Sequence, residues 1–517
     1  MMTYITILKS VILSSCMLYA VHSLNLLKYH KHAFERTFHE RCDKYPFVDQ
    51  YINKMEHSDE RYLTFVYQQN GLRNGGLGDK IGGLVSAVAM ALRFNRTLIV
   101  RSDNDMHETF RPYHPTDIHN PNPKYSWGNF TSWSNYDWKY ANNDATEYDL
   151  YDCINNTGQK NSHCSMKDGD ANTPHILYRS NRAYLCYYDN NKGSVANQQM
   201  NDILGVNSTS DLLEVAGCML RLALWPTERL WEEVGKHLHD FESSMGIVHN
   251  DNAMQRRRRN RRAQMSNDKI STTSTVTNNN DHSNNDVTST TTSTTLDEES
   301  TSDISIVQVG MHFRCGDNSY IKHGGYDHMC VYNPEDSVET NKNKFPLGNP
   351  YEIGVCAQRS LHSYIIDIME GRSEPGKLGI MTTTTSTSTI SHSNTILPIL
   401  EITSRSNILP IVFIASDNVM SSLQMNMTVN LPTSIVSPQG CHIEMDPSKQ
   451  CHLYTVSQWF ILALSDLLIT QAGIPSSFSR YAGIYGLKSN PFRNGQECDV
   501  PFSSMEQSHK QISNWFC

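Results

Sequence analysis

Three apolar runs in the second half of this 517-residue chain share one design: each reads as a buried strand and stops abruptly in polar residues. They are ISIVQVGMHFR, LPIVFIAS and DLLIT, running into Arg314, Asp417 and the SSFSR segment from Ser476 to Arg480. The helical stretches VCAQRSLHSYIIDIME and SQWFILALS separate them. Strands alternating with helices imply βαβ units and a mainly parallel sheet. In such sheets ligands bind outside the carboxyl ends of the strands. The first half repeats the unit: RYLTFVYQQ, a glycine-rich turn, Leu77, Ile81, Leu84, Val88 and Leu92 at helical spacing, then TLIVRS. The expected fold is α/β, two lobes facing a cleft.

Composition divides the chain further. Residues 28–60 are polar and mixed in charge, as a stem would be, and residues 61–249 make the first lobe. Within it, residues 105–200 are rich in Asn, Tyr, Trp and Pro and read as an irregular, disulfide-tied surface. Residues 250–303, QRRRRNRRAQ followed by a Ser/Thr/Asn-rich run, are too poor in apolar side chains to repay their ordering entropy and read as a disordered insertion. Residues 304–517 make the second lobe, interrupted by a similar low-complexity insertion at 381–395.

Residues 1–27 carry an apolar stretch from Ser10 to Leu27, with Lys9 before it and Lys28 and Lys31 after it. It fits either a signal anchor, near the lower length limit for a bilayer span, or a cleaved signal peptide. Both send the remainder into the secretory pathway. Apart from Cys16, twelve of the 13 cysteines remain, without the paired C-x-x-C spacing of a zinc site, so disulfides are the economical reading. Sequons at Asn95, Asn129, Asn155, Asn207 and Asn426 agree with that compartment, Asn95 at a helix-to-strand junction being a candidate for burial. A net charge of -9 gives no cationic field for a nucleic-acid partner.

The strand ends carry the chemistry. Alternation sets His312 and Arg314 on one face, with Asp317 in the loop beyond. A planar guanidinium suits a phosphate bidentately, whereas an Arg–Asp pair closing the strand is the structural alternative. Ser416 and Asp417 end the second strand, where a carboxylate can accept from a ribose diol or a nucleobase, or simply cap the helix that follows. Ser476, Ser477 and Phe478 stand where a helix begins, and its free N–H groups and positive dipole end favour anionic oxygens. In the first half, NGLRNGGLGDKIGG is neither a Walker loop nor a dinucleotide fingerprint. Its Gly76 and Gly78 permit close backbone approach, and Asp79 begins a helix.

The set GLGDKIGGLVSAVAMALRFNRTLIV, VGMHFRCGD, VFIASD and LLITQAGIPSSFSR resembles the glycine-rich loop and three short motifs of the α1,2-, α1,6- and protein-O-fucosyltransferase superfamily. The resemblance implies two Rossmann-like lobes of GT-B type, GDP-fucose as donor, inversion, no metal cofactor, and a glycan or glycoprotein acceptor. It also implies a Golgi membrane protein of single-pass type II or a protein of the endoplasmic reticulum lumen. Arg314, helped by His312, would bind the β-phosphate, and Asp317 would support that loop. Asp417, beside Ser416, would contact guanine or ribose, while Ser476, Ser477 and Phe478 would line the nucleotide. Gly76, Gly78 and Asp79 would meet the pyrophosphate and acceptor, with Asp79 the candidate general base. The chain departs from the pattern at Asp79, where many relatives carry Asn or Gln, and at Cys315, where the α1,6 type carries a second arginine.

Two other readings stand beside it. Asp103 and Asp105 form a D-x-D after TLIVR that could hold Mn²⁺ in a metal-dependent GT-A-type enzyme. A catalytically inactive lumenal glycan- or nucleotide-binding protein would keep the same fold.

Overall fold

A computed structural model describes residues 26–57, 61–67, 76–102, 106–117, 145–149, 175–179, 202–205, 211–244, 305–315, 330–345, 348–371, 408–429, 431, 433–435, 448–471, 476–487 and 493–494. Most of the apolar leader, both low-complexity insertions and the sequons at Asn129, Asn155 and Asn207 lie outside these residues. Among the described residues no helix is long and apolar enough to cross a membrane.

The chain is mixed α/β with two parallel sheets. The first takes β1 (Tyr62–Tyr67), β2 (Thr97–Ser102), β3 (Ala145–Asp149) and β4 (His175–Arg179) in the order β2-β1-β4-β3. The second takes β5 (Ser305–Phe313), β6 (Ile408–Ser416), β7 (Thr433–Ile435), β8 (Leu467–Thr470) and β9 (Arg493–Asn494) in the order β9-β8-β5-β6-β7, again parallel at every pairing. The β3 and β4 segments fall where composition suggested irregular structure. ATEYD and HILYR are short, and their Asn-rich flanks hide the little alternation they carry.

The supposed stem is also regular. Residues Leu26–Cys42 form α1 and Pro46–Glu56 form α2. Leu26, His30, Phe34, Phe38 and Cys42 are the buried residues of α1, every fourth position, so one narrow stripe enters the core while the rest stays polar. A Cys42–Cys218 disulfide fastens that stripe to α4 (Asp211–Ala223), which α5 (Glu228–Ser244) follows.

Helix α3 (Leu77–Arg93) connects β1 to β2 and is apolar on nearly every face. It ends in a Schellman arrangement: Asn95 takes φ 51, its N–H reaches Leu92 O, and the Arg96 N–H reaches Ala91 O. Asn tolerates that left-handed conformation. Asn95 is exposed rather than buried.

In the second sheet, β5 is buried on both faces. Val307, Val309, Met311 and Phe313 join the cluster that includes Ile353, Cys356, Leu361 and Ile365 of α6 (Pro350–Met369) and Met425 of α7 (Val419–Val429). The alternate residues meet α8 (Lys449–Leu464): Gln308 Nε2 donates to Ile461 O at 3.0 Å, and Gly310 packs beside Leu462 and Ser465. His312 and Arg314 continue that second face.

The described residues of 26–241 and of 305–494 pack as one compact unit. The element that joins them is α9 (Ser477–Tyr485), late in sequence yet seated on α3 and α4. Three glycines let it approach. A Cβ on Gly78 would overlap the Ser477 and Phe478 backbone, one on Gly82 the Tyr481 ring, and one on Gly217 the Ile484 carbonyl. The far end of α9 is held by arginines: buried Arg221 donates to Tyr485 O at 2.9 Å and to Phe34 O at 2.8 Å, and Arg41 donates to Leu487 O. The Arg221 guanidinium lies 4.0 Å from the Phe34 ring centroid, and burial lowers its pKa to about 9.

Candidate functional site

The ends of β5, β6 and β8 coincide because their register is set by the ladders: Phe313 pairs with Ser416, and His312 with Thr470. The residues immediately beyond are Arg314, Asp417 and Gln471. The Arg314 N–H donates to Gln471 Oε1 at 3.1 Å, and the Cys315 N–H donates to Asp417 Oδ1 at 2.6 Å. Three strand tips are thereby tied together by side chains. Cys315 is further bonded to Cys330 in a disulfide spanning 15 residues.

Helix α9 begins beside these tips. His312 and Phe478 stack with ring centroids 5.4 Å apart and planes inclined by 28°. Because Gly78 touches the Ser477–Phe478 backbone, the first turn of α3 meets the first turn of α9 at the same point. Each helix start presents N–H groups without intrahelical acceptors and the positive end of a dipole. Two such ends side by side, with an exposed arginine on the adjoining strand, form a setting for an anion.

His312 is held neutral there. Burial first, and the nearby Arg314 charge second, lower its pKa to about 3. In the unfolded chain the same imidazole protonates near 6.5, so between about pH 3 and 6.5 the unfolded state binds the extra proton. Stability is therefore highest above that window and declines as the pH falls through it, by about 1.4 kcal/mol per unit. Denaturant unfolding at pH 5 should show His312 contributing about 2 kcal/mol of destabilisation relative to pH 7. The same comparison in His312→Gln should lack that component, and an unchanged pH slope would refute a buried neutral imidazole.

Arg314, His312, Asp417, Phe478, Ser477 and Gly78 are gathered by the contacts just given. Gly76 is the N-cap of α3, exposed, with no side-chain cap, and Asp79 is half-buried in the first turn. Ser416 Oγ accepts from the Asn418 N–H at 3.1 Å, and Asn418 Oδ1 accepts from the Ser421 N–H at 2.9 Å. Asn418, not Asp417, thus caps α7. Ser476 is the N-cap of α9, but its buried Oγ has no hydrogen-bond partner among the described residues. Asp317, Asp103 and Asp105 lie outside the described residues. Sequence reasoning missed Gln471, although it follows LLIT just as Asp417 follows FIAS; aligning the strand tips would have found it.

No protein-family model matches the chain, and no curated protein matches it significantly. A search of solved structures finds, with 13% identity over 90% of this chain and 78% of the other, a mutant of Arabidopsis thaliana FUT1 in complex with GDP. Its TM-score is 0.34, too low to bear on the site.

Proposed function

We propose that this chain is an inverting glycosyltransferase that moves fucose from GDP-fucose to a hydroxyl of a glycan or glycoprotein, with the donor in a cleft between its two sheets. The observation that supports the reading is the meeting of Arg314, the His312–Phe478 stack and the abutting starts of α3 and α9 at the carboxyl end of one sheet. The motif resemblance supplies the identity of the sugar nucleotide. Disulfides at Cys42–Cys218 and Cys315–Cys330, and disulfide bonding of Cys356 and Cys451, favour the oxidising lumen of the secretory pathway.

In the proposed reaction the bond from fucose C1 to the β-phosphate oxygen breaks as the acceptor oxygen attacks C1 from the opposite face. Negative charge grows on the departing phosphate. A guanidinium already in position and the N–H groups of two helix starts stabilise that charge without reorganisation. A neutral imidazole beside Arg314 adds no competing positive charge. The acceptor proton passes to a carboxylate, for which Asp79 in the first turn of α3 is the candidate.

A thermal-shift screen of the full chain tests the donor. GDP and GDP-fucose should raise the melting temperature and UDP-sugars should not; a ligand at 100 times its Kd contributes about 2.7 kcal/mol. Stabilisation by a UDP-sugar, or transfer abolished by EDTA and restored by Mn²⁺, would favour the Asp103/Asp105 alternative instead. GDP binding without transfer to any acceptor would favour the inactive binding protein.

A further inference from the structure

We infer that Asp417 and Gln471 are positioning residues for Arg314 rather than nucleotide contacts, and that together with the Cys315–Cys330 disulfide they clamp the Arg314–Cys315 backbone. The inference deepens the donor reading by taking Asp417 away from the guanine or ribose. It begins with where the ladders stop: the last pairs are His312 with Thr470 of β8 and Phe313 with Ser416 of β6, so Arg314 and Cys315 lie beyond both ladders. Successive amides of an extended strand point to opposite sides. The Arg314 N–H therefore faces the β8 side and the Cys315 N–H the β6 side, where no strand carbonyl continues the ladder.

Side chains take over that role. Gln471 Oε1 accepts from the Arg314 N–H at 3.1 Å, and Asp417 Oδ1 accepts from the Cys315 N–H at 2.6 Å. The local duties at this turn fall to its neighbours: Ser416 closes the turn and Asn418 caps α7. The third tether runs through sulfur. Cys330 is bonded to Cys315 and its carbonyl accepts from Ser421 Oγ at 2.8 Å, so the Cys315 side chain is anchored to α7. With both amides and the next side chain tethered, the Arg314 backbone is held in place beside the site. That is the preorganisation an anion-binding arginine needs.

The experiment compares Asp417→Ala with Asp417→Asn in the full chain, by hydrogen exchange of peptides spanning 308–316 and by calorimetric titration with GDP. Asparagine keeps an oxygen for the Cys315 N–H but cannot present the paired carboxylate acceptors that a guanine edge uses. The clamp predicts faster exchange and about 10–100-fold weaker GDP binding in Asp417→Ala, both largely restored in Asp417→Asn. Equal loss of GDP affinity in both variants with unchanged exchange would make Asp417 a nucleotide contact and overturn the inference, as would normal exchange and affinity in Asp417→Ala. Should Asp417→Ala fail to fold, Gln471→Met, with the same two readouts at Arg314, decides in its place. If the unsubstituted chain binds no GDP, the donor reading falls alone and the exchange comparison still decides the clamp.

Discussion

Arg314→Ala is expected to lower kcat for fucosyl transfer by about 10²–10³, the usual cost of removing one preorganised donor to a developing oxyanion, while leaving stability within about 0.5 kcal/mol. The two halves of that expectation have different sources. Stability should hold because Arg314 is exposed and the bond that fixes its backbone is made by its N–H, which alanine retains. Activity should fall because a guanidinium acts where charge appears during bond cleavage, and GDP, which keeps that charge as product, should bind more weakly as well. Arg314→Lys restores the charge but not the planar fork, so it should recover only part of the loss. Steady-state kinetics beside a denaturant melt check both halves. Unchanged turnover in a folded Arg314→Ala protein would remove Arg314 from the site, and a collapse of the fold would mean the residue serves structure instead.

Much of that site was legible before any fold was known, because strand periodicity and the abrupt change from apolar to polar residues are strong local signals. Ile306, Val307, Val309, Met311 and Phe313, and Ile411 to Ala415, are buried as their hydrophobicity demands. What local signals cannot supply is partner choice. Nothing near Gln471 says that it will accept from Arg314, since that bond depends on how far β5 outruns β8. Asp417 looked like a cap because a helix follows, but Asn418 one position later does the capping. The α1 stripe has a strict four-residue spacing in the sequence, but the polar residues between its members lower the local average hydrophobicity and mask it. Arg221 was hidden more deeply. A buried arginine whose bonds run to the carbonyls of Phe34 and Tyr485 requires knowledge of three helices at once. The glycine-rich loop marks Gly78 as a point of close backbone approach but shows only half of its role, since the nearest atoms are those of another helix.

That half-seen role makes Gly78→Ala the substitution with the largest expected structural effect. The added Cβ would fall on the carbonyl group of Ser477 and the nitrogen of Phe478, backbone atoms that cannot rotate aside as a side-chain tip can. Either α3 or α9 has to move. At its far end α9 is fastened by Arg221, Arg41 and the contact with Gly217, so displacement concentrates at its first turn, against which His312 stacks. Overpacking of a tight contact costs about 1–3 kcal/mol, and more where backbone meets backbone, so a loss of about 3 kcal/mol or more is expected, together with GDP binding. Gly76→Ala is the informative companion. Gly76 has φ -70 and, among the described residues, no atom within 4 Å of where a Cβ would stand, so alanine there should shift stability by less than about 1 kcal/mol. A Gly76→Ala protein that melts normally yet binds GDP poorly would mark that residue as the point where a ligand meets the α3 backbone. A Gly78→Ala protein with unchanged melting and unchanged affinity would mean that α3 and α9 do not touch, and the shared anion setting at their two N-termini would go with it.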